Sequence, residues 1–200
     1  MMENERSLTT RFVEIEKQLS DARILLEKGK ANELPFFIFD YDPKDELKVR
    51  AEVEKLKKNN PNIQEIDLFT VVVELLQNEG YLEDIKASEK EYDSELLLDQ
   101  MFRPFLSLEE DDNPVMRYIE EHITDDGNHI LLITGVGKSY PIIRSHTILN
   151  KLQPIVKKNP VVMMYPGRYD LSHSMCLRLF DKLADDNYYR AFPLEERIGK

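Results

Sequence analysis

Gly135-Val136-Gly137-Lys138-Ser139 follows an apolar run and holds the residue types that cradle a phosphate: glycines that let backbone amides approach an anion, a lysine and a hydroxyl. A phosphate-binding loop of this kind needs another glycine five positions before Gly137, so that the chain can wrap its ligand. That position is Leu132, inside the apolar run, and Pro141 removes an amide close to the next helix. The segment therefore reads first as a tight strand-to-helix turn. A phosphate- or nucleotide-binding sensor or enzyme built on Gly135–Ser139 is the alternative. Beyond it stand Arg144, suited to bidentate pairing with a phosphate or carboxylate, and His146, a proton carrier or hydrogen-bond donor. On one helix they would point apart, and both face a site only if that helix begins near Ser145. Tyr165, Arg168 and Asp170 follow a later apolar run. With Gly135, Gly137, Arg144 and His146 they complete the candidate binding set.

Other chemistries lack their residues. The histidines His122, His129, His146 and His173 show no metal-ligand spacing, so no metal is expected. No Gly-x-Ser-x-Gly elbow supports a serine hydrolase. Cys176 is the lone cysteine, which excludes an internal disulfide, and its neighbours Met175 and Leu177 mark it as a small core residue. No catalytic set is complete, and the expectation is a protein without cofactor or enzymatic activity.

The elements that would position these residues alternate between strand and helix patterns. Leu8, Phe12, Ile15, Leu19, Ala22 and Leu26 recur at steps of four and three, which predicts one amphipathic helix closing near Gly29. That stripe either packs on its own domain or docks in a groove on a partner through Leu8, Phe12, Ile15 and Leu19. Pro35 to Phe39 reads as a first buried strand, and Asp42-Pro43 opens a charged helix to Lys58. Ile63 to Leu68 reads as a second strand, after which Asp67 caps a helix ending at Gly80. Ser88 with Glu91 suggests a capping box before Leu96, and Asn113-Pro114 restarts a short helix. His129 to Thr134 is the third strand, Ile142 to Leu152 a helix, and Pro160 to Tyr165 the fourth strand, stopped by Pro166-Gly167. Leu177 to Phe180 and Tyr188 to Phe192 alternate like two further short strands, with a helix from Ser174 to Leu183 as the competing assignment. The fold class expected is α/β: a mostly parallel sheet of about four to six strands with helices on both faces, plus an N-terminal helix. Residues 1–30 form the helical arm and residues 31–200 a single α/β domain.

Charge separates the same region from the rest. Between Asp126 and Asp170 the chain has no acidic residue and carries Lys138, Arg144, Lys151, Lys157, Lys158 and Arg168, although the whole chain stands at −11. Buried strands exclude acids in any case, which accounts for part of the gap. The rest marks residues 127–169 as a functional face. A net charge of −11 argues against non-specific nucleic-acid binding, because counterion release needs many basic contacts on one surface. A subunit that touches nucleic acid through the acid-free window stays as a further alternative. The start of the chain lacks a signal-peptide pattern, and no apolar run approaches the roughly 20 residues that span a bilayer. The expected setting is the cytoplasm.

Several separated motifs in fixed order complete the sequence reading. They are Leu131-Leu132-Ile133-Thr134-Gly135-Val136-Gly137, Tyr140-Pro141, Arg144-Ser145-His146, Tyr165-Pro166-Gly167-x-Tyr169-Asp170, Leu177-Arg178-Leu179-Phe180 and Asp186-Asn187-Tyr188-Tyr189-Arg190-Ala191-Phe192. Together they resemble the BrxB family, the small B component of the BREX bacteriophage-exclusion systems. The resemblance is close over the C-terminal half and holds in overall order over the N-terminal half. It implies a role in antiviral defence beside a DNA methyltransferase, a large ATPase and the alkaline-phosphatase-like PglZ. It implies no catalytic residues to carry over. The expected function is an adaptor making protein–protein contacts within that complex, with PglZ the first partner and the ATPase the second.

Overall fold

The structure is a computed structural model that describes residues 6–29, 35–170, 176–185 and 191–195. Two short helices come first, α1 (Leu8–Gln18) and α2 (Ala22–Lys28), followed by strand β1 (Phe36–Tyr41). A 3-10 turn at Pro43–Asp45 leads into α3 (Glu46–Asn59), then β2 (Ile63–Asp67), α4 (Leu68–Asn78) and α5 (Tyr81–Ser88). A helical stretch follows, made of α6 (Ser94–Leu97), a π turn (Leu98–Phe102) and α7 (Arg103–Leu106), and after it α8 (Pro114–His122). Next come β3 (Ile130–Thr134), α9 (Val136–Ser139), α10 (Ser145–Leu152), β4 (Val161–Asp170), β5 (Cys176–Leu179), β6 (Leu183–Asp185) and β7 (Phe192–Pro193).

The protein is α/β. Among the described residues its sheet has seven strands, with the order β2-β3-β4-β1-β7, and β5 and β6 branch from the far end of β4. The five strands of the main path are parallel, while the β4–β5–β6 branch is antiparallel. β1, β3 and the first half of β4 are continuous apolar runs because both of their faces are covered. Phe37, Phe39, Leu132, Val162 and Met164 face one core with α1, α2 and α3. Ile38, Ile133, Met163 and Tyr165 face the other, with α4, α8 and α10.

Three local expectations change. The predicted N-terminal helix is two, because Asp21 leaves the first helix and caps the second by accepting from the Arg23 amide. Phe12, Ile15 and Leu19 are buried against the sheet, with Leu8 packed beside them, so the proposed partner stripe covers the chain's own core. Without it Phe37 and Phe39 would meet water. Ser88 ends α5 rather than starting a helix, and Asp93 caps α6 by accepting from the Leu96 amide. The π turn then falls just before Pro104, where an amide is missing and the ring would crowd the preceding turn.

The fourth strand also runs further than predicted. β4 does not stop at Pro166-Gly167 but continues to Asp170 and turns the sheet's edge into a hairpin base. Gly167 makes this possible, because a Cβ there would lie 2.1 Å from the Arg178 carbonyl oxygen. The predicted strand at Leu177–Phe180 is present as β5. Ser174, Tyr188, Tyr189 and Arg190 lie outside the described residues.

Candidate functional site

Helix α3, which follows β1, lies on one face of the sheet, whereas α4 and α9, which follow β2 and β3, leave by the other. Connections that diverge in this way open a crevice at the carboxyl ends of the strands, where open α/β sheets bind their ligands. Here the crevice is a cleft of about 520 Å³. Each parallel strand of the β2-β3-β4-β1 set contributes to it: Glu65 and Asp67 from β2, Thr134 from β3, Met164 from β4 and Tyr41 from β1. Glu46, Arg50 and Glu54 reach in from α3, and Gly135 and Lys138 from the β3–α9 turn.

Most of these groups are paired with one another. Lys138 donates to Asp67, whose other oxygen accepts from the amides of Phe69 and Thr70, each at 3.1 Å. Burial pushes the Asp67 carboxyl up, but the lysine and the two amides together hold it below its ordinary 3.8. The Tyr41 hydroxyl donates to Glu46 at 2.5 Å, and Arg50 donates to the other Glu46 oxygen at 2.8 Å. Burial first, and then the Glu46 carboxylate, raise the Tyr41 phenol. Thr134 donates to Glu65 at 2.6 Å, and Lys57 bridges Glu65 and Glu54 at 2.5 and 2.9 Å. Tyr118, at the outer wall, donates to Glu74 and is pushed up to about 12 by that bond.

Of the seven residues picked out from the sequence, only Gly135 lines this cleft. It takes φ 73°, and a Cβ would stand 2.5 Å from an Asp67 oxygen. It is a glycine of close approach, and what approaches is the chain's own carboxylate. Gly137 serves packing, since a Cβ there would lie 3.0 Å from both Pro166 and Phe180. The helix after the turn begins at Ser145, not Ile142, so Arg144 is its exposed N-cap and His146 sits half-buried in its first turn. Tyr165 is buried on the opposite face of the sheet from Met164. Arg168 is exposed on the hairpin beyond the cleft, and Asp170, half-buried, ends the strand. The acid-free window does not form one basic cluster either. Lys138 pairs with Asp67, Lys151 with Asp111 and Arg168 with Asp181.

Sequence reasoning missed Tyr41, Glu46, Arg50, Glu65 and Thr134. Tyr41, Glu65 and Thr134 stand at or near the carboxyl ends of strands that the sequence did predict, and that position was the signal available. Two large exposed apolar side chains that adjoin cleft-lining residues in sequence were also missed. Leu47, next to Glu46, is 76% exposed, and Phe69, next to Leu68 at the start of α4, is 39% exposed. The Lys138 ammonium lies 5.8 Å from the centre of the Phe69 ring. Among the described residues no group of three or more His, Cys, Asp and Glu could hold a metal ion, and no helix is long and apolar enough to cross a membrane.

Fold and cleft define the class: an open, mainly parallel α/β sheet with a self-paired polar crevice at its carboxyl edge and an antiparallel hairpin above it. The family described as BREX protein BrxB matches residues 64–194, and the chain belongs to it. A BREX protein BrxB of Bacillus cereus (strain H3081.97) is 41% identical over 96% of this chain and 100% of its own length. A BREX protein BrxB of Escherichia coli O9:H4 (strain HS) is 26% identical over 96% of this chain and 94% of its own. No solved structure gives a significant match. The chain is therefore a component of a BREX defence system.

Proposed function

We propose that this chain is a non-catalytic adaptor of the BREX machinery, acting in the cytoplasm and docking the phosphatase-like PglZ through the carboxyl edge of its sheet. The observation that carries this is the exposure of Leu47 and Phe69, at the starts of α3 and α4, together with a cleft whose polar side chains already satisfy one another. A catalytic site keeps a nucleophile, a base or an oxyanion donor directed at substrate. A docking surface instead presents apolar anchors inside a polar rim. The same cleft argues against the nucleotide alternative, because an entering phosphate would meet Glu46, Glu54, Glu65 and Asp67.

The test is co-purification of the tagged full chain with each BREX component co-expressed singly. PglZ should be retained, and a Leu47→Ser, Phe69→Ser variant should retain it about tenfold less, the size expected when anchor residues are truncated. Both side chains are exposed, so the variant should melt close to the parent. A chain that leaves every component behind in gentle salt would refute the adaptor role.

A further inference from the structure

The hairpin above the sheet carries an arrangement that its own stability does not favour. Arg168 of β4 lies directly opposite Arg178 of β5, and both are exposed. Residues so paired point to the same face with Cβ atoms roughly 5 Å apart, and like charges in that position are destabilising. Arg168 is answered by Asp181, 3.2 Å away, and its charge also reaches Asp42, but its side chain stays 73% exposed. Arg178 has no ion pair among the described residues. The next position along the row is Ala184 of β6, too small to cover the second guanidinium. Lys182, in the adjoining turn, is exposed as well.

The turn itself is built at a cost. Phe180 and Asp181 take φ 53° and 60°, left-handed values that two-residue hairpin turns normally assign to Asn or Gly. Phe180 is held there because its ring packs against Gly137 and meets Tyr140 edge-on at 6.3 Å. The hairpin is thereby fixed to the β3–α9 turn, and the two arginines are presented on a rigid ladder rather than on a loop.

We propose that the Arg168–Arg178 row is a docking surface for an acidic segment of a partner protein. Guanidinium forks pair bidentately with carboxylates, and two of them side by side are repelled until an anion lies between them. A protein segment fits better than nucleic acid because the chain as a whole stands at −11. A duplex would extend past the patch along repelling surface, whereas a short acidic segment brings its charge only where the arginines are. This surface extends the adaptor role and rests on it in one respect, namely that the occupant is a protein.

The experiment uses the full chain and a short fluorescein-labelled poly-Glu peptide, followed by anisotropy across a salt series. Binding should weaken with salt, and should fall about tenfold or more in an Arg168→Gln, Arg178→Gln variant. The melting temperature of that variant should stay level or rise, because a like-charge pair has been removed. A Lys157→Gln, Lys158→Gln variant should bind as the parent does. Absence of peptide binding by the parent would overturn the proposal. So would an equal loss in the lysine variant, or tighter binding of a DNA oligonucleotide than of the peptide. Failure here is distinguishable from failure of the adaptor role. If the arginine variant still co-purifies BREX components as the parent does, only the present proposal falls.

Discussion

Asp67 does two jobs at once: one oxygen caps α4 through the Phe69 and Thr70 amides, and the other holds Lys138. Its carboxyl is held below 3.8 in the folded chain, so the unfolded chain binds its proton more readily. The stability it contributes is present above the unfolded value and is lost as pH falls through the folded one. Acid titration of folding stability should therefore show a decline below about pH 4 that is shallower in Asp67→Ala. At neutral pH that variant should be destabilised by about 1–2 kcal/mol for the lost cap, read by urea denaturation. Gly167 allows a sharper test. A methyl 2.1 Å from the Arg178 carbonyl oxygen cannot be accommodated without parting β4 from β5. Gly167→Ala should cost roughly 2–4 kcal/mol, the upper part of the range for single substitutions, because both the backbone conformation and the strand contact are violated.

At the scale of elements, the N-terminal helices are tied into the domain from two directions. Their apolar side covers Phe37 and Phe39, while Arg11 binds Glu195 through Nε at 3.1 and 2.9 Å and donates to the Asp40 carbonyl at 2.6 Å. Arg11 also stacks 4.5 Å over the Phe39 ring, and Lys28 donates to the Leu194 carbonyl at 2.7 Å. The helices thus clamp the short strand β7 against β1. Deleting residues 1–28 should leave a chain without a cooperative melting transition, not a soluble domain lacking one partner surface. Ile15→Ala, at a fully buried position, should cost about 2–5 kcal/mol in chemical denaturation. A truncated chain that still melts sharply near the parent temperature would contradict this account of the clamp.

For the molecule as a whole, charge decides which ligands are excluded. Lys138, the residue that made Gly135–Ser139 look phosphate-binding, is neutralised by Asp67, and the cleft it enters carries four carboxylates. Millimolar ATP or GTP should leave the melting temperature unchanged, because a ligand stabilises only what it binds. A concentration-dependent rise would restore the nucleotide alternative. The two surfaces proposed for partners are the exposed pair Leu47 and Phe69 and the Arg168–Arg178 row.

The alternation of apolar strands with capped helices was sufficient to determine an α/β sheet. Strand burial and helix capping are local effects, written in neighbouring residues such as Phe36–Phe39 and Asp42-Pro43, and they were legible there. The motif order from Leu131 to Phe192 was likewise enough to indicate the family. The site was not legible in that way. Tyr41, Glu46, Glu65, Asp67, Thr134 and Lys138 come from five elements and meet only because α3 and α9 leave the sheet on opposite faces. Sign and partner of a charge are tertiary properties: the acid-free window has its balancing carboxylates at Asp67, Asp111 and Asp181, all outside it. Arg168 and Arg178 became a pair only once β4 ran through Pro166-Gly167 and set the register of the hairpin. Backbone patterning is short-ranged, whereas electrostatic pairing acts through space, and only folding decides which residues share that space.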